Sequence, residues 1–286
     1  VEKGTPLPGF GGRTLRVRYR ADDIPAVGYK LLSLVDAHSK MVESRATEQA
    51  GDVLENRFYR VTLDPTSGSI RSIWDKDLKR ELVDAASPYR FGSYVYVTGA
   101  DDMPDNSLYR YGAALPQPVL TPHPAAGGRI VAIEHGVESE SATLESSAPN
   151  APRIQTVITL PADTKRIDLR VSLHKIETLH RELAYIAFPL SVEHPEFAYD
   201  TQNGWVDPTR DELAGGSREW YAVPHWAAVH AGDVSAGEIP VDAPMVAFGD
   251  VVRGAWPKEV TPKSAATFSW LMSNYSSTKF KASQGG

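Results

Sequence analysis

The sequence predicts an all-β protein built as a two-sheet sandwich, and three observations carry that prediction. Short segments alternate apolar and polar residues along most of the chain. Turn residues punctuate them at short intervals, among them Asp64-Pro65-Thr66-Ser67-Gly68, Asn203-Gly204 and Gly215-Gly216. No segment sustains a helical period over three turns.

Val1–Gly12 is rich in Pro and Gly and reads as an opening loop. Arg13–Arg20 alternates strictly, with Leu15, Val17 and Tyr19 on one face and Arg16, Arg18 and Arg20 on the other, which is the pattern of a strand with one solvated or partner-facing side. Tyr29–Val35 reads as a second strand. The polar stretch Asp36–Asp52 then reads as the junction between a small amino-terminal β-segment (residues 1–50) and the main domain (residues 51–286).

The main domain opens with a hairpin. Phe58–Asp64 alternates, and Pro65 and Gly68 provide a fixed φ and a permitted positive φ for the turn. Ile70–Trp74 returns with Ile70 and Trp74 on one face and Ile73 on the other, and Asp75-Lys76-Asp77 ends the strand in solvated charge. Tyr89–Thr98 is a strand with Tyr94 and Tyr96 opposite Val95 and Val97. Gly99–Gly128, full of Asp, Asn, Pro and Gly, reads as a long surface excursion. Strands follow at 129–135, 141–146, 154–160, 166–177, 182–192 and 197–199. Residues 200–226 are loop-rich, and strands resume at 227–231, 245–248 and 265–274.

Composition excludes several classes. A net charge of −6 and a pI near 5.8 lack the dense basic field of a nucleic-acid surface. Zero cysteines exclude disulfides, Cys-ligated metals and a Cys nucleophile. No run approaches the ~18 apolar residues of a membrane span, so no membrane partner is expected. The abrupt start at Val1 and end at Ser283-Gln284-Gly285-Gly286 suit a segment of a longer protein.

Glu55, Asn56, Phe58, Val61, Asp64, Gly68, Ile70, Asp75, Lys76, Glu81 and Leu82 together form a pattern that resembles the start of the large β-domain of glycoside hydrolase family 38, the α-mannosidases. Asp23–Leu32, Asp242–Gly254 and Phe268–Gly286 resemble flanking and later segments of the same half. The resemblance implies a supersandwich of the galactose-mutarotase kind. It also implies a parent enzyme that hydrolyses α-mannosides with retention, with an amino-terminal catalytic domain as partner. Zinc is expected in that domain, not in this segment. Neither a catalytic residue nor a metal ligand transfers: none of the eight histidines begins a His-x-Asp motif, and thirty-six acidic residues make carboxylate pairs uninformative by spacing.

Sugar rings present C–H faces to aromatic side chains and hydroxyls to amides and carboxylates. That logic marks Gln202, Asn203, Trp205, Trp220 and Tyr221 as carbohydrate-contact candidates, beside the alternative that the tryptophans cap the core. Within the region, Trp226 is expected in the core and Trp205 at the surface. Tyr94 is a further candidate, because Gly92–Tyr96 resembles the family strand that carries a Tyr to the mannose pocket; a core Tyr is the alternative. Two other functions stay open. One is a stand-alone carbohydrate-binding or scaffold module. The other is a mutarotase-like epimerase, which needs a His acid and a carboxylate base on one sheet face; no spacing pairs His135 or His174 with a carboxylate.

Overall fold

The computed structural model describes residues 2–3, 15–16, 21, 23–32, 45–47, 51–99, 119–214, 216, 218–251, 262 and 264–273. Several sequence expectations fall partly outside the described residues: most of the opening loop at 1–12, the rest of the strand at 13–20, the last three residues of the strand at 29–35, most of the polar junction at 36–52, residues 100–118 of the excursion at 99–128, Gly215 of the Gly215-Gly216 turn, the last residue of the strand at 265–274, and the parts of the resembling segments 242–254 and 268–286 beyond these bounds. Among the described residues twenty-one strands run in order: β1 (Glu2–Lys3), β2 (Leu15–Arg16), β3 (Arg45–Thr47), β4 (Val53–Glu55), β5 (Tyr59–Asp64), β6 (Ser69–Asp75), β7 (Arg80–Glu81), β8 (Ser93–Gly99), β9 (Leu120–Pro124), β10 (Ala126–His135) and β11 (Ser139–Ala148). They continue as β12 (Ala151–Pro161), β13 (Asp168–His174), β14 (Glu182–Leu190), β15 (Glu196–Thr201), β16 (Gly204–Val206), β17 (Tyr221–Ala222), β18 (Ala227–Ala231), β19 (Val234–Glu238), β20 (Met245–Phe248) and β21 (Ala265–Ser273). Among the described residues no helix is present, and none is long and apolar enough to cross a membrane.

The two-sheet sandwich is not what forms. Apart from the short β1–β2 pair, the strands divide among four antiparallel sheets of four to six strands, set like the blades of a four-bladed propeller-like ring. One sheet is the meander β4-β5-β6-β7, the second is β13-β12-β11-β10-β3, the third is β17-β20-β21-β14-β8-β9, and the fourth is β16-β15-β18-β19. Alternation reports only which side of a strand is buried. It is silent on which neighbour does the burying, and each apolar face here packs on a different sheet. Leu54, Val61, Leu63, Ile70 and Ile73 of the first sheet meet Ile133, Leu144, Ile158 and Leu160 of the second. Tyr94, Tyr96, Ala184 and Ile186 of the third meet Ile154 of the second. Phe197, Tyr199, Ala227 and Val229 of the fourth meet Val246 and Phe248 of the third. Phe91 touches both the first and the last of these clusters.

Several local expectations also change. A bulge lets Leu63 pair with Ile70 while Thr62 pairs with Ser72. The extra residue shifts the side-chain period, so Ile70 and Ile73 share the buried side and Trp74 turns outward. Asp75 is buried, not solvated: it accepts the Asp77 and Leu78 backbone N–H groups at 2.9 Å and pairs with Lys165 at 3.0 Å. Burial alone would raise its pKa, but the Leu78 N–H, Lys165 and the Asp77 N–H together hold it below the usual value. Lys165 also reaches Asp77 at 2.9 Å, tying the hairpin end to the 162–167 loop. Tyr29–Leu32 is exposed and forms no strand. The polar junction contains β3, which pairs with β10 in the second sheet. The excursion expected over Gly99–Gly128 contains β9 and the start of β10, with β9 pairing with β8.

Candidate functional site

The fourth sheet builds the site. β15 and β16 are joined by Gln202-Asn203, and Asn203 adopts φ 67°, the left-handed conformation that Asn tolerates at a tight hairpin turn. That turn sets the register: Tyr199 faces Val206, Asp200 faces Trp205 and Thr201 faces Gly204. Trp205 is 57% exposed, and Gln202 and Asn203 are exposed beside it.

Asp200, opposite Trp205, is buried and fully engaged. One carboxylate oxygen accepts the backbone N–H groups of His225 (3.0 Å) and Trp226 (2.9 Å). The other lies 2.6 Å from Nδ1 of His225. Burial alone would raise the Asp200 pKa; the Trp226 and His225 N–H groups and the His225 ring outweigh it and hold the carboxyl below its ordinary range. The His225 side chain is 81% exposed, so a buried carboxylate orients an imidazole whose Nε2 is left for solvent or a ligand.

The segment after β16 folds on itself. Asp207 accepts the Thr209 N–H (2.8 Å) and hydroxyl (2.6 Å), while its own N–H donates to Asp211 (3.0 Å). Arg210 pairs with Asp211 at 2.8 Å. The nearly buried Arg218 donates to the carbonyls of Glu212 and Leu213 at 3.1 Å, and the Tyr199 hydroxyl donates to the Glu212 carboxylate.

The expected site residues divide. Gln202, Asn203 and Trp205 share one exposed hairpin. Trp220 lies edge-on to Trp270 at 4.7 Å, and Tyr221 is buried against Tyr199 and Phe248. Burial pushes the Tyr221 hydroxyl up to about 12. Both face the scaffold. Trp226 is half-buried. Tyr94 lies in the core between the second and third sheets, its hydroxyl without a hydrogen bond and its pKa raised by burial and then by Glu182. Beside it the Tyr96 hydroxyl donates to Glu182 (2.6 Å), which pairs with Lys175 (2.8 Å).

Asp200 and His225 escape sequence reasoning because 25 residues separate them. The one local hint is the position of Asp200 just before an Asn-Gly turn. Elsewhere at the surface His135 pairs with Glu140 (3.1 Å) and His230 with Glu196 (3.4 Å). Among the described residues no three of His, Cys, Asp and Glu stand close enough together to hold a metal ion.

Comparison with known proteins now decides the family. Residues 54–235 match glycosyl hydrolases family 38, C-terminal domain, a span that holds most of the first, second and fourth sheets and the site. The chain belongs to this family. Its fold is similar to part of the crystal structure of an alpha-mannosidase from Enterococcus faecalis V583, with a TM-score of 0.52 at 11% identity. The similarity covers 82% of this chain and 30% of that one, so the chain spans under a third of that enzyme. No curated protein matches. The chain is thus a glycosidase-related β-module.

Proposed function

We propose that this family 38 module is the carboxyl-terminal β-portion of an α-mannosidase-like glycoside hydrolase whose amino-terminal catalytic domain hydrolyses α-mannosides with retention. The observation that carries the reading is the family match over residues 54–235. The fold similarity to 30% of an α-mannosidase supports it, because a module of that share leaves most of such an enzyme to another domain. The module's role is scaffolding, with the Trp205 hairpin as its carbohydrate-facing surface. Zinc belongs to the catalytic domain of that parent enzyme.

The test compares this chain alone with the same chain expressed continuously with a catalytic domain of the family, using an aryl α-mannoside with and without added zinc. Turnover is expected only from the fused protein. Zinc-dependent turnover by the chain alone would overturn the division of labour.

One observation favours a second reading, a carbohydrate-binding module that acts without a catalytic partner: Trp205 is exposed beside two exposed amides.

A further inference from the structure

We propose that Trp205 and His225 form a saccharide-binding site, in which a sugar ring stacks on the indole and one ring hydroxyl donates to imidazole Nε2, with Asp200 as the positioning residue. The inference rests on the carbohydrate reading above and deepens it.

Two features place the two side chains together. Directly opposed residues of an antiparallel pair hold their Cβ atoms about 5 Å apart and on the same side of the sheet, which sets Trp205 beside Asp200. Asp200 in turn holds His225 by Nδ1 at 2.6 Å. The indole and the imidazole are therefore both neighbours of one buried carboxylate.

The pair is also preorganised. An exposed imidazole ordinarily rotates freely. Here Asp200 takes the Nδ1–H, so the neutral ring presents Nε2 as an acceptor in a set direction. Asp200 cannot swing away, because its other oxygen is held by the His225 and Trp226 N–H groups. Fixing a side chain before binding lowers the entropy cost of ordering it later. The hairpin fixes the backbone that carries Trp205, whose strand is locked to β15 through the Asn203 turn.

The chemistry selects the ligand class. An aromatic face, an oriented acceptor and the Gln202 and Asn203 amides match C–H faces and hydroxyls. A phosphate or an acidic peptide would require a cation, and the nearby Arg210 is already paired with Asp211 and lies 3.6 Å from Asp207. The ligand is thus a neutral saccharide.

The experiment is a titration of the whole ¹⁵N-labelled chain with α-mannobiose and, separately, cellobiose, following the tryptophan indole and histidine ring resonances. With at least one sugar, the Trp205 and His225 signals are expected to move together and saturate. Trp205→Ala should weaken binding about tenfold or more, which corresponds to roughly 1.4 kcal/mol. Trp205→Tyr keeps a platform and should retain most of the affinity. Asp200→Asn should move the imidazole proton from Nδ1 to Nε2, visible in the ring ¹⁵N shifts, and weaken binding several-fold. A purely structural role for Asp200 would not move the tautomer.

Saturable binding that ignores Trp205→Ala, or no binding of either sugar at millimolar concentration, overturns the site. Neither result decides the turnover assay, which compares the chain alone with the fused chain and changes no residue of the hairpin. Binding of cellobiose alone would uphold the site and turn its specificity away from mannosides.

Discussion

The Glu238 carboxylate in β19 accepts a 2.7 Å hydrogen bond from the Thr267 hydroxyl in β21, joining the fourth sheet to the third. Its second oxygen accepts from the Ser269 hydroxyl. Burial raises the Glu238 pKa, and the Ser269 and Thr267 hydroxyls offset this only in part. A folded pKa above the unfolded value means that the protonated form favours the fold. The contribution is fully present below the unfolded value of about 4.3 and is lost as pH rises through the folded one. Glu238→Gln keeps a neutral side chain of the same shape. It should match the wild type near pH 4 and unfold at a higher temperature than the wild type at pH 7 and above. Parallel midpoint curves from pH 4 to 8 would remove this account.

Gly128 is where β10 crosses the hairpin turn, and its N–H donates to the Thr66 carbonyl at 2.8 Å. A Cβ there would stand 2.2 Å from the Pro65 carbonyl oxygen and 2.8 Å from the Gly68 nitrogen, all backbone atoms with little freedom to yield. Gly128→Ala should therefore cost about 3 kcal/mol. Gly232 has a positive φ (58°), but no atom lies within 4 Å of its added Cβ. Gly232→Ala should cost only about 1 kcal/mol, from backbone strain alone. Urea unfolding of the two variants checks the ranking, and equal losses would contradict it.

Tyr94 buries a hydroxyl that has no partner. Removing an unsatisfied buried polar atom while leaving the ring returns its desolvation cost. Tyr94→Phe is expected to be neutral or to stabilise the protein by about 1 kcal/mol, read from the denaturant midpoint. A clear loss of stability would mean that the hydroxyl has a bonded role in solution.

Trp226 leads into β18 half-buried, whereas Trp205 is mostly exposed. Truncation of Trp226 to Ala should cost about 2 kcal/mol, below the ~3–5 of a full core aromatic. Truncation of Trp205 should stay within about 0.5–1 kcal/mol, as for most surface positions. Thermal midpoints of the two variants decide it, and equal large losses would place both in the core.

What depends on neighbours along the chain is legible in the residues alone. Side-chain period two locates Ala227–Ala231 and Met245–Phe248 with the bounds the structure shows. Turn chemistry places the Asp64–Gly68 hairpin, where the Gly68 N–H returns to the Asp64 carbonyl at 3.0 Å, and puts Gln202, Asn203 and Trp205 at an exposed edge. The family pattern was legible too, because its residues crowd into the continuous stretch that forms the first sheet. Only the tertiary structure decided how the strands divide among sheets. β8 pairs with β14 although 86 residues separate Tyr96 from Glu182, and alternation is the same whichever sheet covers a face. It alone also decided the electrostatics: Asp75 is buried rather than solvated because Lys165 arrives from 90 residues away, and His225 is oriented because Asp200 lies beneath it. Local pattern sets which atoms face inward. Which distant partner waits there is settled by packing.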